Sequence, residues 1–218
     1  MFRRPQHQRI AKILEAFDAS VLQDAQCYFA GGTAIAMSLN EYRESVDIDF
    51  LCASKDGYRK LRNAVSDSLG GLLQTPVKHL REVRTDQYKI YTFLEIEDTP
   101  IKVELVREAR IEIQGSMDFS LKVPVLSKDD LYAQKLLANA DRGLDRGVVS
   151  RDVIDLAMMI QGWGEIPRTA WDKAYAAYGD QLTKAFHQAV GMVCCYVPPY
   201  QRSPVPLSLR RNKEVVPT

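Results

Sequence analysis

The hydrophobic pattern of the chain changes near residue 124, from segments with a period of two residues to segments with a helical period. Residues 89–96 and 101–106 alternate polar and apolar side chains around the turn-forming sequence 97–100, which is typical of a β-hairpin. Four helices are predicted after the change, over residues 128–140, 151–161, 169–178 and 180–196. The pattern therefore predicts an α+β fold class, with a mixed sheet and flanking helices in the first half and a helical bundle in the second.

The same pattern predicts three segments. Residues 1–123 form the α+β core and residues 124–197 form the helical domain. Residues 198–218 are rich in proline and contain a basic cluster, so we expect an extended or disordered tail.

Within the core, a short apolar run at residues 27–30 ends at a pair of glycines and predicts a buried strand. A helix is expected over 33–40, and the alternating residues 46–52 predict a second strand. Apolar residues at helical spacing over 58–69 predict a helix that ends at the glycine pair 70–71.

Charge and composition exclude several classes of protein. The chain of 218 residues has 29 Lys and Arg against 28 Asp and Glu, and 46% of its residues are hydrophobic. Such a balance excludes a polycation that binds nucleic acid through bulk charge, and it also excludes a disordered acidic chain. Any nucleic-acid partner must be held by a local patch.

The four cysteines and three histidines are poorly spaced for a zinc site. Cys27 and Cys52 lie in apolar runs, where a free thiol behaves as a small hydrophobic group. No segment has the composition of a signal peptide or a membrane span. We expect a protein of a reducing compartment, the cytoplasm, without a membrane partner.

Gly31, Gly32 and Thr33 lie between the first predicted strand and the helix that follows it. Glycines allow a tight turn and a close approach to a ligand, and free N–H groups at a helix N-terminus favour a phosphate. Thr33 adds a hydroxyl donor. A simple turn is the alternative for such a short motif.

Asp47 and Asp49 occupy alternate positions of the second strand, so both carboxylates are expected on one face, about 7 Å apart. Glu104 lies in a later strand with the same alternation. Three hard oxygen ligands on neighbouring strands suit two Mg²⁺ ions acting on a phosphoryl group. A solvated strand face is the alternative.

The helical half supplies basic groups. Lys135 falls near the apolar stripe of its helix, where it must either meet an anion or extend to the surface. Asp152 and Asp155 lie one helical turn apart. Arg151 and Asp155 are four residues apart, so an exposed ion pair is the alternative for Asp155.

These motifs together resemble the nucleotidyltransferase superfamily that has the DNA polymerase β-like core, and within it the AbiEii/AbiGii toxin family. The resemblance covers roughly residues 20–160. Its motifs occur in the family's order, at residues 31–34 (GGTA), 43–50 (RESVDIDF), 135–142 (KLLANADR) and 151–156 (RDVIDL).

The resemblance implies roles for nine residues. It implies that Gly31, Gly32 and Thr33 hold the triphosphate of a nucleotide, and that Asp47, Asp49 and Glu104 hold the metal ions. Lys135 is implied to contact the phosphates, with Arg142 in support, and Asp152 to act in catalysis in a role that the motif does not specify. Glu104 is assigned from its strand position alone.

The implied activity is transfer of a nucleoside monophosphate (NMP) from a nucleoside triphosphate (NTP) onto an acceptor hydroxyl. The resemblance suggests tRNA as the acceptor, a toxin function and an antitoxin partner. Two alternatives share the same core: an enzyme that modifies a small molecule such as an antibiotic, and a nucleotide-binding module without turnover. A basic acceptor cleft would favour RNA, and an acidic one a cationic drug.

Overall fold

The computed structural model describes residues 2–142 and 151–196. The proline-rich tail, predicted over residues 198–218, lies outside these residues. Strands from the beginning to the end of the predicted core form one mixed sheet. The strands are β1 (Cys27–Ala30), β2 (Ile48–Cys52), β3 (Lys78–His79), β4 (Arg84–Thr85), β5 (Lys89–Ile96), β6 (Thr99–Arg107), β7 (Gly115–Asp118) and β8 (Val123–Leu126).

The strand order is β3-β5-β6-β2-β1-β8-β7, and β4 also pairs with β5. Strands β2 and β6 run parallel, as do β1 and β8, whereas β1 is antiparallel to β2 and β5 is antiparallel to β6. The two central strands, β1 and β2, thus bring the segments after residues 30 and before residue 48 to the same edge of the sheet.

Helices pack on both faces of this sheet. They are α1 (Pro5–Ala16), α2 (Ala19–Asp24), α3 (Gly31–Ser38), α4 (Lys55–Ala64), α5 (Lys128–Arg142), α6 (Arg151–Trp163), α7 (Arg168–Tyr178) and α8 (Asp180–Tyr196). The α+β fold class is confirmed, and the helices of the second half follow the sheet as predicted.

The two faces of the sheet belong to different apolar clusters. We call the face that carries Phe29, Phe50 and Leu105 the inner face, because its side chains form one buried core with α1, α2 and α4. The opposite, outer face contributes Tyr28 and Leu126 to a second core made with α5, α6, α7 and α8. Among the described residues, β5 and β6 contribute nothing to this second core. The outer face of these two strands is therefore left uncovered.

The structure differs from the sequence prediction at two boundaries. The helix predicted over 58–69 is α4 and ends at Ala64, since the backbone of Val65 is extended, and a short 3₁₀ turn (Gly70–Leu72) follows. Strand β8 spans the predicted domain boundary at residue 123, because it pairs with β1 and β7. The division into core and helical domain itself stays a prediction.

The hairpin predicted around residues 97–100 is confirmed. The hairpin of β5 and β6 turns at Glu97 and Asp98, both with positive φ, as a tight two-residue turn requires. Ser127 caps α5 through a hydrogen bond from the N–H of Asp130. Among the described residues, no helix has both the length and the apolar character needed to cross a bilayer.

Candidate active site

Asp49 and Glu104 lie side by side in the middle of the sheet. They are register partners in the parallel pair of β2 and β6, so their side chains share the outer face. Tyr91 is the partner of Glu104 in β5, and Ala30 is the partner of Asp49 in β1. The alternation of both strands predicted this neighbourhood of Asp49 and Glu104; their role as metal ligands stays a prediction.

Asp49 is in an environment that disfavours its charge. Burial raises the pKa of Asp49 to about 6, with repulsion from Asp47 and Glu104 adding to the effect. Attraction by Lys102 and Lys135 acts in the opposite direction. A carboxylate in such a place is stabilised by any cation that binds beside it.

The first helical turn of α3 approaches Asp49 closely. Gly31 has a φ of +74°, and a Cβ atom there would lie 2.5 Å from Oδ2 of Asp49. A Cβ at Gly32 would lie 2.2 Å from Nη2 of Arg43. Both glycines are thus needed for packing, whatever they bind. The N-cap residue of α3, Ala30, offers no side chain to the free N–H groups of the first turn.

Thr33 fixes the segment that leads into the second strand. Its buried hydroxyl donates to the carbonyl oxygen of Asp47 at 2.5 Å and lies 2.8 Å from Oγ of Ser45. Asp47 itself lies one residue before β2, rather than inside the predicted strand. The hydroxyl therefore orients Asp47, and its predicted contact with a triphosphate would be an additional role.

Replacing Thr33 by valine should lower the free energy of unfolding by about 1–2 kcal/mol, because the carbonyl of Asp47 loses its buried donor. Urea denaturation of the purified variant measures this difference. Thr33→Ser keeps the hydroxyl and serves as the control. Equal stability of Thr33→Val and the parent protein would contradict this role of the hydroxyl.

The carboxylates have the chemistry of a Mg²⁺ site, but they are not converged in this structure. Glu104 pairs instead with Lys102, at 2.8 Å, and with Lys89, at 3.5 Å. Within residues 2–142 and 151–196, no three His, Cys, Asp or Glu side chains are grouped closely enough to bind a metal. The donor set nevertheless fits a divalent cation, since burial, with added repulsion from Asp47 and Glu104, raises the pKa of Asp49 and a bound cation would offset both effects.

Lys135 is buried and held by two carboxylates. Its side chain is 7% exposed, and its Nζ atom lies 2.9 Å from Asp152 and 2.7 Å from Asp155. Arg142 also donates to Asp152, at 2.9 Å and 3.2 Å. The surface position considered for Lys135 is wrong. These contacts give Asp152 an observed role, which is to anchor Lys135 and Arg142 of α5.

Asp155 contacts more residues of this network than Asp152 does. Its side chain has no solvent exposure, so the exposed pair with Arg151 is wrong. Arg43 donates to Asp155 from Nε at 2.7 Å and Nη2 at 2.9 Å, and the hydroxyl of Tyr42 donates at 2.5 Å. Burial opposes its charge, yet the Arg43 hydrogen bonds and the attraction of Lys135 lower the pKa of Asp155.

A second buried group, absent from the sequence prediction, holds the segment before β2. Glu41 accepts hydrogen bonds from the backbone N–H groups of Arg3 and Arg4 and from Nδ1 of His7. The other ring nitrogen, Nε2 of His7, accepts from the N–H of Ser45 at 3.2 Å. A backbone N–H can only donate, so His7 is the neutral Nδ1–H tautomer.

Asn139 lies on the same face of α5 as Lys135 and Arg142, four residues after the first and three before the second. It is 1% exposed, and among residues 2–142 and 151–196 neither polar atom of its amide has a hydrogen-bond partner. Replacing Asn139 by leucine, which is similar in volume, should raise the free energy of unfolding by about 1 kcal/mol. Urea denaturation checks this, with Asn139→Asp, which buries a charge, as the destabilising counterpart.

The order of motifs and this geometry agree with a comparison against protein families. A family model described as "Nucleotidyl transferase AbiEii toxin, Type IV TA system" matches residues 12–215. The chain belongs to this family. The nucleotidyltransferase class predicted from the four motifs is thereby confirmed, and the match spans nearly the whole chain.

Solved structures with similar folds are distant from this AbiEii family member. An antigenic nucleotidyltransferase-like protein from Paracoccidioides brasiliensis is 14% identical over 86% of this chain and 94% of its own, with a TM-score of 0.42. JHP933 from Helicobacter pylori is 12% identical over 89% and 99%, with a TM-score of 0.35. ANT(2")-Ia, in complex with adenylyl-2"-tobramycin, is 14% identical over 87% and 99%, with a TM-score of 0.34.

With TM-scores below 0.5, these are resemblances only, and the family match carries the assignment. No curated protein matches the chain significantly.

Proposed function

We propose that this protein transfers an NMP from an NTP to an acceptor hydroxyl in a reaction that depends on a divalent metal. The observation that carries the proposal is the pairing of Asp49 with Glu104 on adjacent strands, with Asp47 one residue before the first of them. Burial, with added repulsion from Asp47 and Glu104, disfavours the charge of Asp49, and a cation bound beside it would stabilise that charge.

Asp47, Asp49 and Glu104 would hold Mg²⁺. When bound, such ions neutralise charge on the phosphates and make the attacking hydroxyl more acidic. Glu104 must exchange its contact with Lys102 for this purpose, and Lys102 would then be free to meet a phosphate. The backbone at Gly31 lies so close to the carboxylate of Asp49 that a Cβ atom there would clash with it.

The triphosphate would lie against the first turn of α3, whose N–H groups have no side-chain cap and whose first residue, Gly31, closely approaches Asp49. Lys135 and Arg142 would supply positive charge from the opposite side. Attraction by Lys135 opposes the rise that burial causes in the pKa of Asp49. The hydrogen bond with Asp152, together with attraction by Asp49, raises the pKa of Arg142. Their carboxylate anchors, Asp152 and Asp155, hold them in position rather than contacting the nucleotide.

For the acceptor we propose tRNA, with the protein acting in the cytoplasm as the toxin of a toxin–antitoxin pair and a cognate antitoxin as its partner. Supporting this, Arg81 and Arg84 are exposed and form no ion pair among the described residues. An enzyme that modifies a cationic antibiotic is the second candidate, but these arginines would repel its substrate. A module without turnover is less well supported, because Asp47, Asp49 and Lys135 are all present.

A transfer assay tests the proposal. The protein is incubated with Mg²⁺, a total tRNA pool and each α-labelled NTP in turn, and Asp49→Asn is the control. Label on tRNA that is lost in the control supports the reaction and identifies the nucleotide. Pyrophosphate release with another acceptor would keep the transfer and exclude tRNA. No transfer to any acceptor, although NTP binds, would favour the module without turnover.

A further inference from the structure

One row of side chains crosses the uncovered outer face of the sheet and leads from the carboxylates to strand β4. Glu104 is the register partner of Tyr91 in β5, and Tyr91 is the partner of Arg84 in β4. Together with Asp49, these residues lie on four adjacent strands and on the same face. With strands about 4.8 Å apart, the row is about 14 Å long from Asp49 to Arg84.

A groove of about 280 Å³ lies at the far end of this row. It is lined by Arg81, Glu82, Arg84, Tyr91, Thr92 and Phe93. The guanidinium of Arg81 lies 4.8 Å from the ring centre of Phe93, and Nζ of Lys89 lies 4.6 Å from that of Tyr91. The groove therefore combines aromatic surfaces with cations.

The charge of the groove is only partly neutralised. Among the described residues, neither Arg81 nor Arg84 pairs with a carboxylate, and Glu82 is the one acid that lines the groove. Two unpaired guanidinium groups beside two aromatic rings suit a ligand that has both phosphates and flat rings. An unpaired nucleotide strand has this chemistry, whereas the bases of a duplex are stacked within it.

We propose that this groove binds the unpaired nucleotides next to the accepting hydroxyl of a nucleic-acid acceptor; the proposal rests on the transfer reaction proposed above. Stacked bases rise about 3.4 Å each. A stacked strand of about four nucleotides therefore spans the row of about 14 Å from the groove to Asp49. Tyr91 and Phe93 stack on bases, and Arg81 and Arg84 bind the phosphates between them.

Direct binding tests this without transfer. The probe is a fluorescein-labelled, unstructured 12-nucleotide RNA, and its anisotropy is followed without NTP or metal at several salt concentrations. The double variant Arg81→Gln, Arg84→Gln should bind about tenfold more weakly at low salt. Its affinity should also depend less on salt, by about 1.4 in the logarithmic slope for two phosphate contacts. Phe93→Leu should weaken binding about tenfold through loss of stacking.

The matched control removes the same charge elsewhere. Arg59 and Arg62 are exposed on α4, which packs on the inner face of the sheet. Their double change to glutamine should alter affinity less than twofold. Thermal unfolding of every variant separates loss of binding from loss of fold.

Four results would overturn the proposal. The first three are no binding of the probe, equal weakening in the α4 control, and equal affinity for a blunt duplex. The fourth is stronger binding of a labelled polyglutamate peptide, provided that this binding is lost in the double variant Arg81→Gln, Arg84→Gln. The last would assign the groove to an acidic protein partner. If the RNA binds as expected but no NMP is transferred, the groove assignment stands and the proposed function fails. If an NMP is transferred to a small molecule and the groove variants change nothing, the transfer reaction stands and the groove assignment fails.

Discussion

Replacing Asp49 by asparagine should abolish nucleotidyl transfer, with a loss of about a thousandfold or more, because the site loses the charge that attracts the metal. The same change should not destabilise the fold. Burial raises the pKa of Asp49 to about 6, with repulsion from Asp47 and Glu104 adding to it. Holding this carboxylate ionised at pH 8 therefore costs up to about 3 kcal/mol, which a neutral amide removes.

Two measurements check this expectation. Initial rates of label transfer give the activity, and urea denaturation at pH 8 in the presence of EDTA gives the stability. Asp24→Asn is the matched control, since Asp24 is exposed at the end of α2, beneath the inner face. An Asp49→Asn protein with parental activity would refute the metal assignment. A folded variant with lower stability would refute the proposed repulsion between carboxylates.

The part of the site that lies on strands was predictable from sequence. Alternation in residues 46–52 and 101–106 assigns Asp49 and Glu104 to one face of the sheet, and the register then makes them direct neighbours. The strand–glycine–helix order likewise gave the position of α3, although the helix begins at Gly31 and not at Thr33. These features were accessible because each depends on residues close together in the chain.

Contacts between distant segments were not predictable in this way. Arg43 and Asp155 are 112 residues apart, and no local period connects them. On its own helix, Asp155 has Arg151 at the spacing of an exposed ion pair, and this misled the prediction. His7 and Glu41 are 34 residues apart and gave no signal at all. The position of Lys135 near the apolar stripe of its helix indicated that it needs an anion or a surface position, but its two partners are fixed only by packing.

The network around Asp155 also explains how the halves of the chain are joined at the site. Arg43 and Tyr42 precede β2 in the core, whereas Lys135 belongs to α5 of the helical half. A single carboxylate on α6 accepts hydrogen bonds from all three. The position of Lys135 relative to Asp49 thus depends on a group that touches neither substrate nor metal in the proposed reaction.

Asp155→Ala should accordingly be strongly destabilising, lowering the free energy of unfolding by about 3–5 kcal/mol. The cost arises because Arg43 loses its carboxylate partner and Lys135 loses one of its two, while both keep their charges in a partly or fully buried site. Since the pKa of Asp155 is lowered in the folded protein, its contribution is complete above pH 4 or so. The difference between variant and parent should shrink as the pH falls further.

Urea denaturation at pH 7 measures this effect, and Asp172→Ala is its matched control. Asp172 forms an exposed pair with Arg168 on α7, so its removal should cost no more than about 0.5 kcal/mol. Asp155→Asn keeps the shape and one acceptor, and should fall between the two. Adding Arg43→Met to Asp155→Ala should recover part of the loss, because it removes a charge that no longer has a partner. Equal costs for Asp155→Ala and Asp172→Ala would mean that the buried network does not hold the two halves together.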